Sequence, residues 1–221
     1  DQRMPKQFDL LVFDWDGTLM DSAGTIAFSI QAASRDVGLQ APSDSEARHI
    51  IGLGLNEAIA ALFPELPHSD YAALVERYRH YYLAQDTEIP LFDGAAETIA
   101  ALHEEGFLLA VATGKGRRGL DRVFEQTGLG PYFHTSRCAD ECFSKPHPCM
   151  LLEIMDELGV PQAKTLMIGD TSHDLQMASN AGVSAVGVSY GAHPRGGLLE
   201  LSPLACADNF GELSRWLSDH A

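Results

Sequence analysis

Basic side chains are scarce in this sequence. Lysine and arginine number 15 against 31 aspartates and glutamates over 221 residues, for a formal net charge of −16. Without clustered Lys and Arg there is no footprint for a phosphate backbone, so nucleic acid is not expected as the main partner. A small anion held by a cation and a few local donors remains compatible with that charge. Long apolar runs are also missing. No stretch reaches about 18 uninterrupted apolar residues, so no membrane span is expected. No basic stretch followed by an apolar run opens the sequence, so no secretory signal is expected and the reading is a cytoplasmic protein. Asp1 to Lys6 read as a ragged leader, with Met4 as the expected natural start. The four cysteines, Cys138, Cys142, Cys149 and Cys206, are too few and too uneven for a disulfide framework, and they fit a reducing compartment. Three of them lie near His134 and His147, but their spacing lacks the paired C-x2-C knuckles of structural zinc sites. Buried or incidental thiols are the preferred reading.

What is present is an ordinary globular composition, 45% hydrophobic and 21% charged. The length suits one sizeable domain, or one with an insertion. Phe8 to Phe13 form a short apolar run ending at Asp14, as expected of a strand buried on both faces. Similar runs are Leu108 to Ala112, ending at Thr113-Gly114; Thr165 to Ile168, ending at Gly169-Asp170; and Ser184 to Val188. Helical patterns lie between them, at Asp93 to Glu105, His147 to Leu158 and Ser172 to Ala181. Strands alternating with such helices predict an α/β fold with a doubly wound parallel sheet.

One stretch breaks the alternation. Residues 20–88 contain no convincing strand, only helical patterns at Thr25 to Val37, Leu55 to Phe63 and Tyr71 to Ala84, punctuated by Pro42, Pro64, Pro67 and Pro90. An all-α subdomain is therefore expected at 20–88, inserted into an α/β core of 1–19 and 89–221. Both parts are acidic. Tyr71, Tyr78, Tyr81 and Tyr82 read as a stripe packed inside the helical layer.

The chemistry gathers at strand ends. Asp14-Trp15-Asp16-Gly17-Thr18, Thr113-Gly114-Lys115 and Gly169-Asp170-Thr171-Ser172-His173-Asp174 each follow an apolar run. In a parallel sheet these ends share one edge, where ligands of open α/β sheets bind. Any one aspartate there could simply cap a helix. Four of them, Asp14, Asp16, Asp170 and Asp174, together with Thr113 and Lys145, make that account poor. Four carboxylates in one small site need a cation, and Mg²⁺ fits a site that also takes phosphate oxygens.

These segments resemble the four motifs of the haloacid dehalogenase superfamily. Asp14 to Thr18 is similar to the first, Thr113-Gly114 to the second, Lys145 in Ser144-Lys145-Pro146-His147-Pro148 to the third, and Gly169-Asp170-Thr171 through Asp174 to the fourth. They occur in family order, and the likeness covers essentially the whole chain. The helical stretch after the first motif is similar to the family's small α-helical cap. The resemblance implies that Asp14 is the nucleophile and that Asp16 is the general acid and base. Thr113, Gly114 and Lys145 would hold the phosphate. It also implies a Mg²⁺ shell of Asp14, Asp170 and the backbone carbonyl of Asp16, with Asp174 acting through a bound water.

The leading expectation is a Mg²⁺-dependent phosphatase of small phosphorylated metabolites. Gly52-Leu53-Gly54-Leu55 and Lys145-Pro146-His147-Pro148 resemble the phosphoglycolate-phosphatase-like branch. The rivals are a sugar-phosphate mutase of the β-phosphoglucomutase kind, which Thr18 disfavours, a pyrophosphatase, and an inactive binding or regulatory protein on the same scaffold. A dehalogenase would not need Asp16. Arg35, Arg48, His49 and Arg77 are the unranked candidates for reading the substrate. For Lys115, a surface role and a substrate role weigh equally. Monomer and homodimer are both compatible with the sequence.

Overall fold

The computed structural model describes residues 5–221, so the expected start at Met4 lies outside the described residues. Leu10–Phe13 (β1) is buried at every position, and its alternate side chains feed two separate cores. Leu11 and Phe13 join Leu109, Val111, Leu166 and Ile168 on one face of the sheet. Leu10 and Val12 join Ala110, Ala112 and Met167 on the other. A strand covered on both faces must be apolar throughout, which is why this run shows no polar alternation.

Five further strands complete the sheet: Leu108–Thr113 (β2), Thr135–Cys138 (β3), Thr165–Gly169 (β4), Ser184–Val188 (β5) and Cys206–Ala207 (β6). Their order is β3-β2-β1-β4-β5-β6, and every pairing is parallel. The strand order reverses beside β1, which places a binding crevice at its carboxyl end. The sequence pattern missed β3 and β6. Thr135-Ser136-Arg137-Cys138 is an edge strand with no apolar run, and β6 is only two residues long.

Helices Ala95–Glu104 (α5), Arg117–Thr127 (α6), Cys149–Leu158 (α7), Ser172–Ala181 (α8), Arg195–Leu199 (α9) and Phe210–His220 (α10) accompany the strands. Between β1 and α5 lie Ala23–Asp36 (α1), Asp44–His49 (α2), Leu55–Leu62 (α3) and Tyr71–Leu83 (α4), with no strand of the sheet among them. α2 is six residues opened by a full capping box on Ser43 and Glu46. It is too short to register as a periodic pattern. The helical layer has its own apolar packing, around Ala33, Ile59, Tyr71 and Leu74. The chain leaves and re-enters the core side by side: Met20 bridges Leu91, Asp21 N–H donates to the Pro90 carbonyl, and Phe92 N–H donates to that of Leu19.

The cysteines correct the sequence reading in one respect. Cys142 and Cys149 are paired as a disulfide, while Cys138 and Cys206 are free. The loop before α7 doubles back and brings their Cα atoms to 5.9 Å, within bridging range. His134 Nδ1 accepts the Leu109 N–H, and among the described residues no histidine joins these cysteines in a ligand cluster, so the zinc grouping weighed from sequence does not assemble. No described helix is long and apolar enough to cross a membrane.

Candidate active site

Sheet register brings the strand-end residues together. Phe13 pairs with Val111 of β2 and Ile168 of β4. Asp14, one residue on, therefore lies between the ends of both neighbours, which finish at Thr113 and Gly169-Asp170. The Asp14 N–H still donates to the Ile168 carbonyl at 3.0 Å, so the nucleophile candidate is fixed by the last rung of the sheet. Trp15 is buried against Phe124 and Phe133 and anchors the turn. Its backbone N–H donates to Asp14 Oδ1 at 2.7 Å.

Asp14, Asp170 and Asp174 place ligand atoms within 4.8 Å of one another, and all three are buried. Lys145, also buried, reaches Asp174 Oδ1 at 2.7 Å and Asp14 Oδ1 at 3.1 Å. Three carboxylates against one ammonium leave a formal charge of −2, which a divalent cation would cancel. The remaining oxygen of Asp14, Oδ2, is buried with no hydrogen-bond partner. An unpaired buried carboxylate oxygen is costly unless a ligand completes it. The donor set is all oxygen, so a hard cation such as Mg²⁺ fits it.

The electrostatics follow from burial. Desolvation, then repulsion from Asp174, pushes Asp14 well above the usual carboxylate range despite Lys145. Asp170 is raised by the same two causes. Burial also works against charge on Asp174, but Lys145 and the Thr171 hydroxyl outweigh it and hold that group low. Asp174 Oδ1 is occupied by Lys145, and Oδ2 accepts from the Thr171 N–H and hydroxyl. Asp170 accepts from the Thr18 hydroxyl at 3.0 Å and the Ala192 N–H at 2.8 Å.

Asp16 is separate from this group. Its carboxylate is not among the three clustered ones; it accepts from Ser22 Oγ at 2.7 Å and faces Lys115 Nζ at 3.4 Å. The expectation of four carboxylates around one cation therefore holds for three, because the turn after Asp14 sends the Asp16 carboxylate towards the helical layer. Lys115 also reaches the Tyr82 hydroxyl of α4 at 3.1 Å. Lys115 is accordingly not a surface residue, and Tyr82, which stacks on Tyr78 inside the helical layer as expected, also meets a core side chain.

Thr113 is buried at the end of β2, its Oγ1 accepting the Lys115 N–H. Gly114 lies directly beneath the helical layer: a Cβ there would fall 2.5 Å from the Gly52 carbonyl oxygen. The Gly54 N–H donates to Ser144 Oγ, next to Lys145, at 3.0 Å. Of the four candidate readers in the helical layer, only His49 is held at the core: its carbonyl accepts from His173 and His193. Arg77 is taken by Asp36 and Arg48 by Asp44.

Sequence reading missed Ser22 and Gly191. A Cβ on Gly191 would come within 2.4 Å of Asp170 Oδ2, so only glycine lets that loop close on the carboxylate. The available signal was its place just after β5, on the same sheet edge as the other site residues.

Comparison with known proteins agrees with this geometry. The family model for haloacid dehalogenase-like hydrolases matches residues 11–188. A protein of Dickeya dadantii named "Probable phosphatase IndB" is 37% identical, covering 92% of this chain and 91% of its own length. A phosphoglycolate phosphatase of Agrobacterium fabrum is 32% identical over 93% of this chain and 90% of its own. A hydrolase from Pseudomonas syringae shares the fold with a TM-score of 0.88 at 22% identity, covering 96% of this chain and 98% of that one. With its strand-end aspartates, buried lysine and parallel sheet, this chain belongs to the haloacid dehalogenase-like hydrolases.

Proposed function

We propose that this hydrolase is a Mg²⁺-dependent phosphatase of small phosphorylated metabolites, phosphoglycolate-phosphatase-like, working through an aspartyl-phosphate on Asp14. The observation that carries this reading is the buried Asp14 carboxylate with one oxygen held by Lys145 and Trp15 and the other unpaired. Such a group is fixed in orientation and leaves one buried oxygen for a ligand to complete. The names of the relatives, a phosphatase and a phosphoglycolate phosphatase, support the same reading.

The Asp14 carboxylate attacks phosphorus; an O–P bond forms and the bond to the leaving oxygen breaks. Asp16 gives that oxygen a proton. It then takes one from the water that attacks the acyl-phosphate, releasing inorganic phosphate and free Asp14. Lys145, Thr113 and the Gly114 N–H bind the equatorial phosphate oxygens. Asp14 and Asp170 would hold Mg²⁺, with Asp174 behind them, and the ion would neutralise phosphate charge. Residues 20–88 serve as a cap that excludes water.

The test is turnover of p-nitrophenyl phosphate with Mg²⁺, after EDTA, and by Asp14→Asn. Activity is expected with the metal and in the wild type only. Undiminished hydrolysis by the EDTA-treated enzyme would falsify the metal assignment, and wild-type rates from Asp14→Asn would remove the nucleophile.

A further inference from the structure

Cys142 and Cys149 bracket residues 143–148, the loop that carries Lys145, and the phosphoryl chemistry above uses neither of them. A chain of this length needs no covalent staple to hold its core, so the bridge calls for another account. Both cysteines are half-buried, and Phe143 beside them is 70% exposed, so the outer face of the loop is open to a small reagent.

The surroundings of the pair suit two oxidation states. The Cα atoms lie 5.9 Å apart, within bridging range. Each sulfur also stands 3.0 Å from the same oxygen, Glu153 Oε2. Two thiols can donate to that carboxylate, whereas a disulfide has no proton to give. The other Glu153 oxygen is held by Arg137 Nε at 3.1 Å, so the acceptor stays in place in either state. Reduction therefore replaces one covalent bond by two hydrogen bonds at a fixed carboxylate.

What the bridge joins is the two feet of the lysine loop. Between them, Lys145 reaches Asp14 and Asp174, the Pro146 carbonyl accepts from Asn180 Nδ2 at 2.8 Å, and Ser144 Oγ accepts the Gly54 N–H from the helical layer. With the bridge open, the tie between the feet is the pair of thiol contacts to Glu153, whose side chain is 47% exposed.

We propose that Cys142 and Cys149 form a reversible dithiol–disulfide site set by a small thiol–disulfide couple, the oxidised form holding Lys145 on Asp14 and Asp174 and the reduced form loosening its loop. The effect on turnover rests on the phosphatase reading; the thiol chemistry does not. In oxidation, one cysteine thiolate attacks a sulfur of the small disulfide and expels one thiolate. The second cysteine thiolate then attacks the protein sulfur of that mixed disulfide and expels the other. The pair loses two protons and two electrons, and the small disulfide becomes two thiols. Excess thiol runs the same steps backwards.

The experiment equilibrates the protein in glutathione buffers from fully reduced to fully oxidised and traps free thiols with iodoacetamide. Label is counted at each cysteine by peptide mass. Melting temperature, kcat/KM for p-nitrophenyl phosphate with Mg²⁺ and inhibition by inorganic phosphate are read in the same buffers. Cys142 and Cys149 should lose and regain label together. The oxidised form should melt about 5–10 °C higher, the scale for a bridge closing a short loop in a chain of this size. Its kcat/KM should be about five-fold higher or more, the low end for coupling between two linked sites. It should also bind phosphate more tightly. The double variant Cys142→Ser/Cys149→Ser should match the reduced enzyme in every buffer. A pair that stays reduced throughout overturns the proposal. So does a bridge that survives the most reducing buffer, which is a staple. Oxidation that leaves melting and turnover unchanged, or a double variant that still responds to glutathione, overturns it equally. Should the double variant fail to fold, wild-type label and kcat/KM must change over the same buffers, and curves that separate overturn the proposal. An enzyme that hydrolyses no monoester loses the phosphatase reading, while label and melting temperature still judge the cysteine site.

Discussion

Lys145 and Lys115 are both buried cations beside an aspartate of the first strand-end turn, yet their surroundings are opposite in kind. Lys145 makes two close ion pairs, to Asp14 and Asp174, with partners that all come from the α/β core. Lys115 makes one long pair and reaches across to a tyrosine of the helical layer. Burial opposes the charge of each, and neighbouring carboxylates restore it; both ammonium groups are held above their ordinary range. In the proposed reading the phosphoryl end lies among core residues, whereas Asp16 and Lys115 sit where the core meets the helical layer. Chemistry common to many substrates belongs on the rigid part, and selection among them belongs where two parts meet.

Breaking the core side should have the largest effect. Lys145→Met leaves Asp14 and Asp174 buried without their cation, a loss worth about 3–5 kcal/mol for a broken buried pair. The melting temperature of the metal-free protein should fall steeply, and activity on every phosphate ester should drop together. A Lys145→Met protein that melts like the wild type would show that this pair contributes nothing net.

Asp16→Asn probes the seam between the two ends. General acid–base help is typically worth about 10²- to 10⁴-fold. Alkyl phosphates should lose most of that in the first step, while p-nitrophenyl phosphate should still release one equivalent of nitrophenol in a burst before slow turnover. Equal slowing of good and poor leaving groups, with no burst, would reduce Asp16 to a positioning residue.

The smallest effect sharpens the comparison through pH. Asp14 and Asp170 have raised values in the folded chain, Asp170 to about 6. A raised carboxyl keeps its proton longer in the native state, so its ionisation lowers native stability as pH rises from the ordinary carboxylate range through the raised value. Below the raised value protons occupy the site and compete with a cation. The rise in melting temperature on adding Mg²⁺ should therefore be larger at pH 7.5 than at pH 5, and Asp170→Asn should flatten the difference. His173 and His193, both lowered chiefly by burial, add a separate loss of stability as pH falls from about 6.5. That loss is common to the metal-free and metal-loaded forms and cancels in the shift. A Mg²⁺ shift independent of pH would place the cation away from these carboxylates.

Much of the core side was legible in the sequence because its information is local. An apolar run followed by Asp14, Thr113 or Asp170 identifies both a buried strand and its end, and parallel pairing then assembles the ends without further detail. Lys145 came from its motif. The shared side was far less legible. Tyr82 is one of four tyrosines in a helical stretch, and only the docking of α4 on the core brings its hydroxyl to Lys115. Gly191 is required by a carboxylate 21 positions earlier in the chain. The Cys142–Cys149 pairing and the His49–His173–His193 contacts likewise depend on how loops fold back, which periodicity does not encode. β3 was missed because an edge strand need not be apolar.

The paired linkers at Met20 and Leu91 have a consequence for how this chain could have diversified. The main chain passes into the helical layer and out of it through a single doorway, with Asp21 bonded to Pro90 and Phe92 to Leu19. From the sheet's side, the intervening residues amount to one long excursion whose ends already touch. Closing a longer excursion adds little entropic cost, since each doubling of loop length costs only about 0.6 kcal/mol. A different set of helices could thus be exchanged at this doorway while β1 still ends at Asp14, changing which alcohol is accepted and leaving the hydrolytic end as it stands.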